Sequence, residues 1–495
     1  MLLAPIRRLF LACLCGMALF TPLAAQAQAG KALGTFAAHP GLKKASWGFA
    51  MRSLRTGKLL LGRDGYRCLA PASTQKVVTT AAALRLLGPA YRVHTRLAYT
   101  GQITDGVLKG DLLVLGAGDP SLGSGRFGPD SEPEAVLRRW ASRVAGAGIR
   151  RIEGRVLVSA LAFAQPAVPD GWQHQDLANY FGAPVCGLNW RENMYRLPFR
   201  TGAPGSAAQA AEPVPPQPDL RFTTDVTAGP EGSPDLAYIY AGPDGQQRLV
   251  MGSLPPHKSS YAIKGALPDP ALALARELEA ALEVKGIELT GAATSVQSWS
   301  AAADKALCAP KAARQVLDSL ASPTVAELAA KTNIYSLNLY AECLLRWVGL
   351  RQKNEASTEA GTQALADYWV SKGLDAEGLV VADGSGLSLS NGITPLHFTT
   401  LLARMADSTA AGKAFGRSLA VMGRTGTLAE MGLGTRAEGR LRAKSGTLTR
   451  VLCYVGYTTT AQGEPVAFAL LVNRYSGSFS DMKKQIEKLL VGLSS

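Results

Sequence analysis

Histidine is scarce in this chain, and the motifs that would give it a catalytic role are missing. None of the five histidines belongs to H-E-x-x-H, and no serine lies in G-x-S-x-G. A catalytic zinc ion and a histidine-based triad therefore have little support. The glycine-rich segment GAGDPSLGSG lacks the lysine and hydroxyl residue that end a phosphate-binding loop, so it favours turns. We expect no cofactor and no metal.

Cysteine is also sparse, and its spacing argues against a disulfide framework. Cys13 and Cys15 lie in an N-terminal apolar stretch. The others are odd in number, widely spaced and without C-x-x-C: Cys68, Cys186, Cys308, Cys343 and Cys453. The pattern favours buried free thiols over zinc ligands, and it leaves one disulfide open if the compartment is oxidising.

Long apolar runs are confined to the N-terminus. Arg7 and Arg8 precede the apolar stretch Leu9–Phe20, and small residues follow it. This is the pattern of a secretory signal peptide, with cleavage after Ala27 or Ala29. No later segment is long and apolar enough to cross a membrane. We expect an exported, periplasmic protein without a transmembrane segment.

Acidic residues are outnumbered by basic ones, 38 against 52, which gives a formal net charge of +14. That balance suits anionic surroundings such as cell-wall polymer or membrane headgroups. Nucleic acid is not an expected partner, because the lysines and arginines are scattered and no aromatic-basic motif accompanies them. The composition, 47% hydrophobic and 18% charged, is that of a folded globular protein.

The order of predicted elements indicates one α/β domain interrupted by a large insertion. GFAMRSLRTGKLLLGRDG is typical of a hairpin, and apolar residues recur at helical spacing from Ser73. After about residue 95 the chain is strand-rich, with an exposed loop from Thr201 and an amphipathic helix in DPALALARELEAALEV. After about residue 310 it becomes helical again, and it ends in two strands and a last helix.

The segment PASTQKVVTTAAALRLLG places Ser73 three residues before Lys76. On a helix this spacing puts both side chains on one face, within hydrogen-bonding distance. Lysine acts as a base only where burial or a nearby cation lowers its pKa, and an apolar helix supplies burial. Alone, the pattern more often marks a serine N-cap. It recurs at Ser480 and Lys483, where the start of the last helix explains it.

Two further motifs give the first one a chemical context. NIYSLNLYAE contains S-x-N at Ser336 and Asn338, and RAKSGTL contains K-[ST]-G at Lys444 and Gly446. The order S-x-x-K, S-x-N, K-[ST]-G matches serine acyl-enzymes that act on D-alanyl peptides and β-lactams. The glycine would let a ligand backbone approach an edge strand, and the lysine offers charge to a carboxylate.

With these motifs the chain resembles the low-molecular-mass class C penicillin-binding proteins, the D-alanyl-D-alanine carboxypeptidase/endopeptidases of peptidase family S13. DGSGLS at Asp383–Ser388, the following NGITP, GDLLVLGAGDPSL and GRLRAKSGTL are similar to stretches typical of that family. The long interval between Ser73 and Ser336 fits too, since the family carries extra domains there. In class A β-lactamases the interval is far shorter.

The resemblance implies catalytic roles for five residues. Ser73 would be the nucleophile and Lys76 its general base, and the acyl-enzyme would then be hydrolysed by water. Ser336 would relay a proton towards the leaving D-alanine, with Lys444 nearby. Asn338 would hold the substrate amide.

The resemblance also implies substrate-binding residues. The backbone N–H groups of Ser73 and Thr447 would form the oxyanion hole, while Ser445, Gly446 and Thr447 would bind the end of the substrate. In GWQHQDLANYFGAP, Asp176 would contact the amino group of a diamino-acid side chain, and Phe181 would line that subsite. A helix-start role for Asp176 is an equal alternative. Leu389 stands where the family often has an arginine for the substrate's side-chain carboxylate, which leaves the preferred side chain open.

The resemblance implies a β-lactamase/transpeptidase-like α/β fold, with an antiparallel sheet, helices on both faces, and mostly-β domains inserted between the first and second motifs. The expected divisions are a signal peptide (1–29), a catalytic domain (30–95 and 300–495), and inserted domains II (96–190 and 265–299) and III (191–264). The expected partners are peptidoglycan stem peptides and covalently bound β-lactams.

Three functions remain distinct at this point. The favoured one is a serine-type D-Ala-D-Ala carboxypeptidase or D-alanyl endopeptidase that penicillin inhibits. A β-lactamase or esterase on the same fold has less support, because no acidic residue is placed for fast deacylation where class A enzymes carry it. A non-catalytic wall-binding protein would have no need of Lys76 or Lys444.

Overall fold

The structure is a computed structural model that describes residues 27–310 and 312–494. Most of the predicted signal peptide, with its arginines and apolar stretch, lies outside these residues, so its cleavage stays a prediction. No helix within the described residues has both the length and the apolar character needed to span a membrane.

The helices of the described residues share one numbering in chain order. They are α1 (27–37), α2 (Gln75–Leu86), α3 (Pro133–Gly146), α4 (Pro270–Val284), α5 (Ala302–Cys308), α6 (Val325–Tyr335), α7 (Asn338–Lys353), α8 (Thr358–Ser371), α9 (Pro395–Met405), α10 (Ala410–Ser418) and α11 (Phe479–Leu493).

The strands are numbered in the same way. They are β1 (Ser46–Ser53), β2 (Leu59–Arg63), β3 (His94–Tyr99), β4 (Gln102–Thr104), β5 (Val107–Lys109), β6 (Leu112–Leu115), β7 (Arg151–Ile152), β8 (Val156–Ser159), β9 (Met194–Arg200), β10 (Gln209–Ala210), β11 (Arg221–Ala228), β12 (Tyr238–Tyr240), β13 (Gln247–Leu254), β14 (Tyr261–Ala266), β15 (Glu288–Leu289), β16 (Thr294–Val296), β17 (Gln315–Ala321), β18 (Leu379–Val380), β19 (Gly392–Ile393), β20 (Ala420–Val421), β21 (Arg442–Leu448), β22 (Val451–Thr459) and β23 (Pro465–Asn473).

The chain divides into two compact units. The first contains the described residues of Met1–Pro89, Ala329–Ser336 and Leu365–Ser495, and the second contains Ala90–Leu328 and Leu337–Ala364. These limits differ from the predicted domain boundaries, and the division of the insertion into two domains stays a prediction.

The first unit is built on a six-stranded sheet in the order β2-β1-β23-β22-β21-β20, with every neighbouring pair antiparallel. On one face, Phe468 and Leu470 of β23 join a core with Ile486 of α11. On the other, a Cβ added at Gly48 of β1 would lie 3.0 Å from Pro395 of α9. Helices therefore cover both faces, which explains why β23 is buried along nearly its whole length.

Helix α2 has the burial that its apolar sequence predicts, and it is buried on every side. Every residue from Gln75 to Leu84 is buried, including Lys76. A helix buried all round belongs to the interior of a domain. The predicted helix is thus confirmed, while its environment on every side is protein.

The second unit contains several smaller sheets, and the described residues form three hydrophobic clusters in it. A five-stranded sheet, β16-β8-β6-β3-β17, packs with α3 and α4 around Trp140 and Leu274, and a small cluster with Ala98 and Val296 includes other residues of the same sheet. The remaining cluster, around Ile239 and Val250, lies under the three-stranded sheets β10-β9-β14 and β11-β13-β12. The amphipathic helix predicted in DPALALARELEAALEV is confirmed as α4, and Asp269 caps its N-terminus.

The five described cysteines are free thiols. Cys186, Cys343 and Cys453 are buried, as expected of structural cysteines. Cys68 is exposed and Cys308 half-buried, so the expectation of burial is wrong for these two.

Candidate active site

Ser73 lies in a tight turn that leads into α2. The 3-10 turn Ala72–Thr74 precedes the helix, and the Thr74 hydroxyl donates to Pro71 O at 2.6 Å. Ala72 has φ of 47°, in the left-handed region that a residue with a Cβ adopts only at a cost of about 1 kcal/mol or more. This strained backbone immediately precedes the half-buried Ser73.

The Ser73 side chain is not a helix cap. No side-chain capping hydrogen bond forms at the start of this turn or of α2. Instead Lys76 Nζ donates to Ser73 Oγ at 3.0 Å. The N-cap alternative for Ser73 is therefore wrong, because its hydroxyl faces the lysine one turn along.

Lys76 is fully buried, and its amine is held from two sides. Besides Ser73 Oγ, Nζ donates to the carbonyl oxygen of Ser385 at 2.7 Å. Ser385 belongs to DGSGLS, whose Asp383 carboxylate accepts from the backbone N–H groups of Gly386 and Ser388 at 2.6 and 2.7 Å. One buried carboxylate thus shapes the loop that presents its carbonyl to the lysine.

Ser336 and Lys444 form a second serine–lysine pair in the first unit. Ser336 has φ of 60°, which turns the chain between α6 and α7. Lys444, fully buried in β21, donates from Nζ to Ser336 Oγ at 2.9 Å and to Ser445 O at 2.6 Å. Burial, and then the neighbouring charge of Lys76, hold the pKa of the Lys444 amine well below its ordinary value. The two pairs are therefore close enough to interact.

Strand β21 passes directly beside the Ser73 turn. A Cβ added at Gly446 would lie 2.7 Å from Pro71 O and 3.0 Å from Ser73 N, closer than a side chain tolerates. Ser445 Oγ donates to Thr427 Oγ1 at 2.8 Å, and Thr447 is exposed. Glycine at 446 is thus what lets the strand reach the serine.

The other predicted site residues belong to the second unit. Asn338 begins α7, and its Nδ2 donates to the carbonyl oxygen of Phe181 at 2.7 Å. Asp176 lies in the first turn of the short 3-10 helix His174–Asp176, whose N-cap is Gln173. Burial raises the pKa of the Asp176 carboxyl.

Ser480 is also placed differently from the expectation. The N-cap of α11 is Ser478, whose hydroxyl accepts from Asp481 N at 3.1 Å. Ser480 is exposed in the first turn, with its Oγ 3.3 Å from Ser478 Oγ. The helix start does explain the serine-rich pattern, but the capping residue is two positions earlier.

The contact of DGSGLS with Lys76 was not predicted from the sequence. The segment contributed only to the resemblance, although an aspartate followed by alternating glycines and serines is typical of a loop closed by side-chain-to-backbone hydrogen bonds. The left-handed backbone of Ala72 and Ser336 had no signal, since neither is glycine, asparagine or aspartate.

The first unit contains the Ser73 hydroxyl beside the buried Lys76 amine, and the Ser336 hydroxyl beside the buried Lys444 amine. Strand β21 lies next to the Ser73 turn. A lysine that is easily deprotonated can take the proton of a serine hydroxyl, as covalent catalysis by serine requires. This is the arrangement of an acyl-transfer site without histidine.

Several known proteins are similar to this chain in sequence, and solved structures are similar to it in fold. The D-alanyl-D-alanine carboxypeptidase of Actinomadura sp. strain R39 is 29% identical over 454 residues, 88% of this chain and 79% of that protein. The carboxypeptidase DacB of Haemophilus influenzae is 26% identical over 434 residues, 87% of this chain and 85% of that protein.

The crystal structure of penicillin-binding protein 4 (dacB) from Haemophilus influenzae superposes with a TM-score of 0.76 at 23% identity, covering 91% of this chain and 96% of that one. This likeness confirms the predicted transpeptidase-like fold with inserted domains. The sequence profile of one family, the D-Ala-D-Ala carboxypeptidase 3 (S13) family, matches residues 29–493. This chain is a member of that family.

Proposed function

We propose that this protein hydrolyses D-alanyl-D-alanine bonds of peptidoglycan peptides through an acyl-enzyme on Ser73. The observation that carries the proposal is the 3.0 Å hydrogen bond between the buried Lys76 amine and Ser73 Oγ. Membership of a carboxypeptidase family supports the reaction class. D-alanyl endopeptidase activity at cross-links is part of the same proposal, because it breaks the same kind of bond.

In acylation, Lys76 takes the proton of Ser73 as the oxygen attacks the carbonyl carbon. Ser336, held by Lys444, passes a proton to the leaving D-alanine nitrogen. The depressed pKa of Lys444 supports this role, since a lysine that readily loses its proton can return one in each turnover. Water then attacks the ester carbonyl and releases the shortened peptide.

We assign the substrate-binding residues from the motifs that this chain shares with its family. Backbone N–H groups of Ser73 and Thr447 stabilise the developing oxyanion. Ser445, Gly446 and Thr447 of β21 bind the carboxylate end of the peptide. In the second unit we assign Asn338 to the substrate amide, and Asp176 and Phe181 to the diamino-acid side chain.

We further propose that the chain is exported to the periplasm after cleavage following Ala27 or Ala29. The N-terminal pattern supports this, and so does a substrate that lies outside the cytoplasm. β-Lactams are the expected covalent inhibitors. A solved complex of the Haemophilus influenzae protein with a β-lactam, which superposes with a TM-score of 0.71 at 22% identity, motivates this expectation.

A labelling and hydrolysis assay tests the proposal. The protein without its signal peptide is incubated with fluorescent penicillin and, separately, with a pentapeptide ending in D-Ala-D-Ala. We expect stable labelling and D-alanine release in the wild type and in Ser480→Ala, and neither in Ser73→Ala. Rapid penicillin turnover without peptide cleavage would instead identify a β-lactamase. Absence of labelling in the wild type would exclude both enzymes.

A further inference from the structure

Asn179 fixes one strand of the second unit against the turn that carries Asp176. Its side chain is buried, and it bonds both backbone groups of Ile239. Nδ2 donates to Ile239 O, and Oδ1 accepts from Ile239 N, each at 3.1 Å. The Asn179 N–H in turn donates to Asp176 O at 3.0 Å. Strand β12 is thereby set in one register beside Asp176.

This register places Tyr238 next to Asp176. Ile239 is fully buried, so its neighbours Tyr238 and Tyr240 lie on the opposite face of the strand. Tyr238 is 39% exposed, and β12 packs against the turn His174–Asp176. Burial, and then the charge of Asp176, raise the pKa of the Tyr238 hydroxyl, as expected when carboxylate and hydroxyl are close.

The Asp176 carboxylate and the Tyr238 hydroxyl can both accept hydrogen bonds. Asp176 is half-buried, and burial alone shifts its pKa, with no contribution from a cation. Two basic residues near Tyr180 face other groups: Lys264 lies over the Tyr180 ring at 5.3 Å, and Arg126 bonds Glu192. A carboxylate and a phenol oxygen with some access to solvent suit a ligand that only donates, and an alkylammonium is such a group.

We propose that Tyr238 is a specificity-determining residue, whose hydroxyl joins the Asp176 carboxylate in accepting hydrogen bonds from the side-chain ammonium of a diamino-acid residue in the peptide. This inference rests on the proposed function and extends it by naming a second acceptor. A neutral, acetylated side chain would gain nothing from Tyr238, so the residue selects peptides whose amine is free.

The test compares two pentapeptides that end in D-Ala-D-Ala, one with a lysine side chain and one with N-acetyl-lysine. Tyr238→Phe keeps the ring and removes only the hydroxyl. We expect KM for the lysine peptide to rise roughly 10- to 100-fold, with kcat little changed, as for loss of one hydrogen bond to a charged group. KM for the acetylated peptide should stay constant. Tyr240→Phe, on the same face of β12, is the matched control and should alter neither.

Two outcomes would overturn the inference: an unchanged KM for the lysine peptide, or an equal rise for both peptides. Penicillin labelling separates this failure from failure of the proposed function. If Tyr238→Phe is labelled like the wild type but shows no amine-dependent change, only the role of Tyr238 is excluded. If the wild type neither labels nor releases D-alanine, the reaction itself is excluded.

Discussion

The chain contains the pattern S-x-x-K at the start of two helices, and the two sites differ in almost every physical respect. At α2, Lys76 is fully buried and its amine contacts Ser73 Oγ. At α11, Ser480 is exposed, and the local capping bond is made by Ser478. Identical spacing thus gives a hydrogen-bonded serine–lysine pair with a buried amine at one helix and an ordinary first turn at the other.

The difference shows what makes a serine nucleophilic. Spacing brings hydroxyl and amine together, but a lysine acts as a base near neutral pH only where its surroundings lower its pKa. Lys76 and Lys444 are both fully buried and lie close to each other, and burial together with the charge of Lys76 lowers the pKa of Lys444, whereas Lys483 is only half-buried. Substitutions at the two sites, each paired with a matched control variant, test this difference.

The largest effect is expected from removing the proposed base. Lys76→Met keeps the length and apolar stem of the buried side chain but has no amine. Acylation by fluorescent penicillin should slow by roughly 10²–10⁴-fold, the usual contribution of general base catalysis. Lys483→Met should label at the wild-type rate. Equal rates for Lys76→Met and the wild type would remove Lys76 from the mechanism.

The next effect comes from the approach of β21 to the serine. Gly446→Ala places a methyl group within 3.0 Å of Ser73 N, so the strand or the turn must move. Acylation should fall by roughly 10–100-fold, since displacement of a reacting group by about 1 Å costs that much. Overpacking should also lower the free energy of unfolding by about 1–3 kcal/mol.

Gly416→Ala in α10 is the control for that substitution, because a Cβ there meets no atom within 4 Å. It should leave acylation unchanged and stabilise the helix by about 0.5–1 kcal/mol. Denaturant unfolding and penicillin labelling measure both quantities. Normal labelling of Gly446→Ala would show that the close approach is not needed for chemistry.

The third effect is a pH dependence of stability. Since the pKa of Lys444 is lower in the folded protein than in the unfolded chain, the unfolded chain binds its proton more tightly. The contribution of Lys444 to the free energy of unfolding is complete above its pKa in the unfolded chain, about 10.4. It is lost as pH falls from there towards the lower pKa that Lys444 has in the folded protein. Lys444→Met lacks this term, so its stability relative to the wild type should improve as pH falls from 10 to 7.

The free energy of unfolding of the wild type should change relative to that of Lys444→Met by about 1.4 kcal/mol per pH unit. This applies to the part of the measured range that lies between the folded and the unfolded pKa of Lys444. Denaturant unfolding of the two proteins across this range measures it. Lys483→Met, at a lysine that is only half-buried, serves as the control. Parallel curves for Lys444→Met and the wild type would show that Lys444 stays charged when folded.

The smallest effect concerns the α11 start. Ser478→Ala removes the cap and should lower the free energy of unfolding by about 1 kcal/mol, while Ser480→Ala should change it by much less. Neither should affect penicillin labelling. A larger loss in Ser480→Ala than in Ser478→Ala would contradict the capping assignment.

Much of the site was predictable because its chemistry needs particular residue types. The three motifs identified Ser73, Lys76, Ser336 and Lys444, and the structure brings these four into one unit. The first hairpin, α4, the C-terminal strands and α11 followed from periodicity and turn signals. These elements have strong local patterns that tertiary packing reinforces.

What sequence could not supply depends on packing between distant segments. The approach of Lys444 to Lys76 requires β21 to lie beside the Ser73 turn, which no local pattern encodes. Burial of α2 on every side, its threonines included, also depends on distant segments and not on its own spacing alone. The register of β12, which brings Tyr238 to Asp176, depends on one asparagine far away in the chain.

The carbonyl of Ser385 has a directional consequence for Lys76. A carbonyl oxygen can accept a hydrogen bond but cannot donate one, so it engages an N–H of the amine whether the lysine is charged or neutral. In the neutral form this contact limits how the amine rotates, and it disfavours orientations that turn the nitrogen lone pair towards Ser385. The loop closed by Asp383 thus turns that lone pair away from Ser385 and leaves it available to the Ser73 hydroxyl.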